Sequence, residues 1–159
     1  MNNSQPTSPQ FDVCDPGDKT ALVCMDVPEM ERLVVEQLGG LGYKTHTGFS
    51  IEDIHFKMRA HPYDILVIAE NFGASDASTN LLLAETISSP PSQRHHQLVV
   101  LVGAGMCTSD ETQAFAHSVD VVVSLADINN LRPVLRRAAL RQQEFYAPYL
   151  EALAGPRLA

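Results

Sequence analysis

Long apolar runs, paired cysteines and an excess of positive charge are all missing from these 159 residues, and each absence removes a class of protein. No apolar stretch approaches the roughly 18 residues that a membrane span needs. The opening MNNSQPTSPQ has neither the basic nor the apolar region of a signal peptide, so a cytoplasmic chain without membrane contact is the expectation. Cys14, Cys24 and Cys107 lie far apart with no C-x-x-C pair, which suggests three reduced thiols and neither a disulfide framework nor a zinc site. Eleven Lys and Arg against nineteen Asp and Glu give a formal net charge of -8, whose field repels phosphates, so nucleic acid is not an expected partner.

What is present is the balance of a globular protein, 45% hydrophobic and 19% charged. The length suits one core-bearing domain. Residues 1–18 are too polar to offset the entropy of ordering and read as a disordered tail. Residues 19–145 form the expected domain and 146–159 a C-terminal extension.

Five short apolar or alternating runs alternate with helical patterns. ALVCM (Ala21–Met25), YDILVIA (Tyr63–Ala69), QLVVLV (Gln97–Val102) and VDVVV (Val119–Val123) predict buried strands, and YKTHT (Tyr43–Thr47) a short edge strand. Met30 to Leu38 predicts the first helix. A near capping box at Ser50–Asp53 starts the second, Ala77–Ser88 is the third, and a similar pattern at Thr108–Glu111 starts the fourth. The last helix begins near Asp127–Asn130, accepts Pro133 in its first turn and is expected to stop at Pro148. This alternation predicts an α/β doubly wound parallel sheet with right-handed crossovers and helices on both faces.

Sites in such sheets form outside the carboxyl ends of the strands. Here those ends read Met25-Asp26-Val27-Pro28, Ala69-Glu70-Asn71, Gly103-Ala104 and Ser124-Leu125-Ala126. In the order and spacing of its units the chain resembles the receiver domain of bacterial response regulators, over about Lys19 to Gln143. The resemblance implies a flavodoxin-like five-stranded topology with strand order 2-1-3-4-5. It also implies a site with an acidic pair for Mg²⁺, an Asp phosphoacceptor, a Thr or Ser, and a Lys. In this sequence Met25 stands at the first acid and Asp26 at the second, Ala69 at the phosphoacceptor, Gly103 at the hydroxyl and Leu125 at the Lys. A methyl group offers no oxygen for phosphoryl transfer, so the resemblance implies a degenerate pseudo-receiver that is not an enzyme. Two carboxylates keep two readings each. Asp26 is either a helix-start carboxylate or a residual metal ligand. Glu70 is either a solvated loop residue or an imitation of phosphate charge, the latter requiring an irregular strand end because side chains alternate.

Other motifs point away from chemistry. MDVPEM after the first strand is not the glycine-rich turn of a dinucleotide site, and Gly103-Ala104-Gly105 lacks the motif's continuation. His46, His55, His61, His95, His96 and His117 show no ligand spacing, and no serine sits in a nucleophile turn, so no cofactor or metal is expected. The surface anomaly is Arg132, Arg136, Arg137 and Arg141 on the last helix, which reads either as a solvated face or as a docking surface for an acidic partner. In the receiver family the face made by helix four, strand five and helix five commonly mediates dimerisation or output contacts, which implies a protein partner or a homodimer. Tyr146, Pro148, Tyr149 and Leu150 either fold back on the domain or cover a neighbour. The function expected is a phosphorylation-independent regulatory interaction module, with small-molecule sensing in the altered strand-end pocket as the alternative.

Overall fold

The protein, as a computed structural model, is described over residues 14–48 and 50–155. Residues 1–13 of the expected tail and 156–159 of the expected extension lie outside the described residues. Five strands, β1 (Thr20–Cys24), β2 (Lys44–Thr47), β3 (Ile65–Ala69), β4 (Leu98–Gly103) and β5 (Val121–Ser124), alternate with five helices. These are α1 (Pro28–Gly40), α2 (Ile51–Ala60), α3 (Leu81–Ile87), α4 (Glu111–His117) and α5 (Leu131–Ala154). A single helical turn spans Pro91–Arg94, and 3-10 turns span Ala77–Thr79 and Leu125–Asn130.

All strand pairs are parallel and the order is β2-β1-β3-β4-β5, as the resemblance implied. Every residue of β1, β3 and β4 is buried, which is why their sequences run apolar without alternation. β2 sits at the edge, partly exposed throughout, and can therefore carry Lys44 and His46.

α1 and α5 pack together on one face of the sheet. Right-handed crossovers carry α2, α3 and α4 over the other. The first pairing is fastened by buried Gln37, whose amide donates to the Ile128 carbonyl and whose oxygen accepts from Leu131 N–H at 2.6 Å. A Cβ on Gly40 would lie 2.5–2.7 Å from the Arg132 guanidinium, the mobile end of that side chain, and would push it aside. The absence of a side chain lets that cation rest on the end of α1, where carbonyl dipoles favour it.

Three helix boundaries differ from expectation. The third expected helix is broken, because Asp76 caps the short turn Ala77–Thr79 and Asn80 then caps α3 by accepting from Leu83 N–H. α4 is capped by Asp110, which accepts from Gln113 N–H, and not by Thr108, whose hydroxyl is used elsewhere. α5 does not stop at Pro148 but runs on to Ala154. The proline removes one N–H near the helix end, and the rings of Tyr146 and Tyr149, packed on buried His95 at 5.6 and 4.7 Å, hold the helix on both sides of it.

Candidate functional site at the strand ends

The strand order reverses at the carboxyl ends of β1 and β3, where a crevice is expected in this architecture. Met25 follows β1 and is buried, a thioether added to the core. Asp26 is exposed and does not cap α1, which has Val27 at its N-cap, Pro28 in its first turn and no side-chain cap bond. Its Oδ2 instead accepts from Gly73 N–H at 3.0 Å, tying the loop after β1 to the loop after β3.

Ala69 ends β3 and is buried, paired in register with Val102. Glu70 makes one more ladder-like bond, its N–H donating to the Val102 carbonyl at 2.8 Å, and the chain then turns, with Phe72 N–H returning to the Ala69 carbonyl at 3.0 Å. The turn ends the strand's alternation at this residue, and the Glu70 carboxylate lies across Gly103 and accepts from Ala104 N–H at 3.2 Å. A Cβ on Gly103 would fall within 2.6 Å of both carboxylate oxygens, so the missing side chain is what admits the carboxylate. Buried Asn80 fixes this corner by donating to the carbonyls of Ala69 and Glu70 at 3.0 and 3.2 Å.

On the far side, β4 and β5 pair Gly103 with Ser124. Ser124 therefore stands beside Gly103 in the sheet, whereas Leu125 opens the following 3-10 turn and packs against the core. In the sequence Ser124 is marked only as the strand-end residue that follows the run Val119–Val123. The Thr108 hydroxyl accepts from Ser124 N–H at 2.9 Å and donates to the Asp127 carboxylate, joining the loops after β4 and β5. Gln113 reaches back from α4, accepting from Cys107 N–H at 2.6 Å and donating to the Gly105 carbonyl at 3.3 Å.

The loops at this edge are thus stapled in pairs by their own polar side chains. The donor set does not fit the Mg²⁺ that receiver chemistry uses. A hard cation wants several oxygen ligands, but Met25 supplies none and the carboxylates of Asp26 and Glu70 each accept from a backbone amide. Among the described residues no group of three or more His, Cys, Asp or Glu side chains is placed to hold a metal ion.

The four arginines do not form one patch. Arg132 is drawn onto Gly40, and Arg136 points to solvent. Arg137 and Arg141 line a groove of about 590 Å³ between α4 and α5, and Arg141 forms an exposed ion pair with Glu111. That groove has apolar walls, including Ala114, Val134 and Ala138, and at its mouth Phe115 and Phe145 are 87% and 76% exposed.

No family model matches the chain, and comparison with curated proteins finds no match. Solved structures do match. A chemotaxis response regulator of Vibrio cholerae aligns with a TM-score of 0.60 at 13% identity, covering 76% of this chain and 98% of its own. A receiver domain from Methylobacillus flagellatus aligns at 0.58 and 20% identity over 76% and 98% of the two chains. A Burkholderia pseudomallei response regulator whose structure carries a phosphorylated aspartic acid aligns at 0.58 and 17% identity, over 89% of this chain and 78% of that one. With the strand order and the parallel register, these similarities establish that the chain has the fold of a response-regulator receiver domain.

Proposed function

We propose that this chain is a phosphorylation-independent pseudo-receiver, a cytoplasmic regulatory module of a bacterial signalling pathway that acts through protein contacts and not as an enzyme. The observation that carries the reading is the corner around Ala69. The strand that would present a nucleophile ends in a methyl group, and the neighbouring carboxylate, Glu70, already lies across Gly103 on the amide of Ala104. A carboxylate seated there supplies from within the chain the negative charge that phosphorylation would otherwise bring. The other staples, Asp26 to Gly73 and Thr108 to Ser124 and Asp127, favour one fixed arrangement of the loops over a switched pair. Output then falls to the face of α4, β5 and α5, where the groove with Arg137 and Arg141 stays open to a partner.

The direct test is to incubate the purified protein with acetyl phosphate and Mg²⁺ and measure its intact mass. An unchanged mass is expected; an added phosphoryl group mapped to an aspartate overturns the proposal.

A further inference from the structure

The three cysteines of this chain stand in very different surroundings. Cys24 lies within β1, wholly buried, and that burial pushes its thiol up, away from the thiolate that reacts. Cys107 is exposed in the loop after β4, and among the described residues no histidine lies on its sulfur. Cys14, half-buried ahead of β1, has one: its Sγ is 3.9 Å from Nε2 of His46 on the edge strand β2.

That histidine is set by the fold on its other side. Its Nδ1 lies 2.7 Å from the hydroxyl of buried Tyr63, whose ring is held edge-on against His46 and His61, with centroids 5.6 and 5.1 Å away. His61 is placed in turn by the Thr20 hydroxyl, 2.9 Å from its Nε2. Burial pushes the Tyr63 phenol up, so its hydroxyl stays neutral. The cysteine end is fixed as well. Asp15 N–H donates to Asp18 Oδ2 at 2.8 Å and Asp18 N–H to the Asp15 carbonyl at 3.0 Å, closing a turn directly after Cys14. Asp18 then pairs at 2.7 Å with Lys44, two residues before His46 on the same strand. Lys44 is held protonated first by Asp18, and Asp15 and Cys14 add to that, so the sulfur has an ammonium in range besides the imidazole.

We infer that Cys14 is a peroxide-reactive thiol, with His46 as its base and Tyr63 as the residue that positions the base. The Cys14 proton passes from Sγ to His46 Nε2, while Nδ1–H donates to the Tyr63 oxygen and steadies the imidazolium that results. The thiolate attacks one oxygen of a hydroperoxide and the O–O bond breaks. The departing oxygen takes the proton from Nε2 and leaves as water or an alcohol. Sulfur gives two electrons to the peroxide and becomes a sulfenic acid. No residue of the strand-end corner takes part, so this inference goes beyond the proposed function and does not depend on it.

The test treats the full chain with hydrogen peroxide, traps sulfenic acid with dimedone, and reads the rate at each cysteine by peptide mass. Cys107 is the reference within the same molecule. An ordinary thiol, with a pKa of about 8.5, is only a few per cent thiolate at neutral pH, and part of the gain from a larger fraction is offset by lower nucleophilicity. Cys14 is therefore expected to react about fivefold faster than Cys107 despite its lower exposure, with Cys24 unmodified. Its alkylation rate by iodoacetamide should also level off at lower pH than that of Cys107. His46→Gln should bring Cys14 to the rate of Cys107, and Tyr63→Phe, which keeps the ring, should move the Cys14 pH profile upward. Cys14 no faster than Cys107 in the wild type, superimposed pH profiles, or a Cys14 rate unchanged by His46→Gln in a protein folded by circular dichroism would each overturn the inference. The first two readings need no variant. The acetyl phosphate experiment reads an aspartate, so either result there leaves this one standing.

Discussion

The strand-end edge and the outer side of α5 spend their polar groups in opposite ways. At the edge, Asp26, Glu70, Asn80, Thr108 and Gln113 all bond to the backbone of a neighbouring loop or turn. Along α5, Arg136, Arg137 and Glu144 stand in solvent, and Arg141 holds only an exposed partner, Glu111. A group bonded inside the fold contributes to a single conformation; a group facing water contributes little to stability and remains available for recognition. The polar groups at the strand ends are thus used to hold the loops, and the accessible charge lies along the helix.

Substitutions can break that contrast. The largest effect is expected from Asn80→Ala, which strands the Glu70 carbonyl and the Leu83 N–H and leaves the Ala69 carbonyl only its bond from Phe72 N–H. A loss of ~3 kcal/mol in denaturant unfolding is expected. If the loss is negligible, the strand-end corner is not held as described.

Gly103→Thr should come next. Its side chain needs the space of the Glu70 carboxylate, which must leave Ala104 N–H, costing ~1 kcal/mol and speeding hydrogen exchange at that amide. Glu70→Ala should speed the same amide without any clash. An amide protected equally in all three proteins would show that Glu70 does not hold the loop.

Asp120 sharpens the comparison through pH. Burial raises its carboxyl above the usual range, partly offset by the bond from Val99 N–H at 2.7 Å and by Arg94 at 3.9 Å. Between the ordinary and the raised value the folded protein binds more protons than the unfolded chain, so this group's contribution falls as pH rises through that window. Asp120→Asn keeps an acceptor for Val99 and removes the slope. Thermal unfolding across pH should therefore show the variant gaining on the wild type as pH rises above the usual carboxylate range, and a constant difference would contradict the sign.

The smallest effect on stability is expected at the helix. Charge reversal at Arg136 and Arg137 should change unfolding by less than ~0.5 kcal/mol while weakening capture of the partner. Unchanged capture would exclude this surface.

Much of the fold could be read without coordinates because its evidence is local. Continuous apolar runs such as ILVIA and LVVLVG fit only strands covered on both faces, and Ser50 announces its helix by a hydroxyl three residues before the Asp53 amide that it accepts from. The composition of the strand ends was equally plain, since Ala69 and Gly103 lack functional groups wherever they are placed. The contacts of the corner were not. Glu70 reaches Gly103 only because the chain turns straight after β3, Ser124 replaces Leu125 beside Gly103 by the register of β5 on β4, and Thr108 leaves helix capping for Asp127. The four arginines looked like one patch in sequence and were divided by what lies next to the helix, Gly40 at one end and the α4 groove along its side.

The sequence by itself determined the parallel sheet, its buried centre and a side chain without oxygen at the end of β3, because these follow from side-chain chemistry and spacing along the chain. Only the tertiary structure decided that Glu70 occupies the space over Gly103 and that α5 passes Pro148 to leave an apolar end exposed. Both depend on distances between residues far apart in the chain, which packing sets and local preference does not encode.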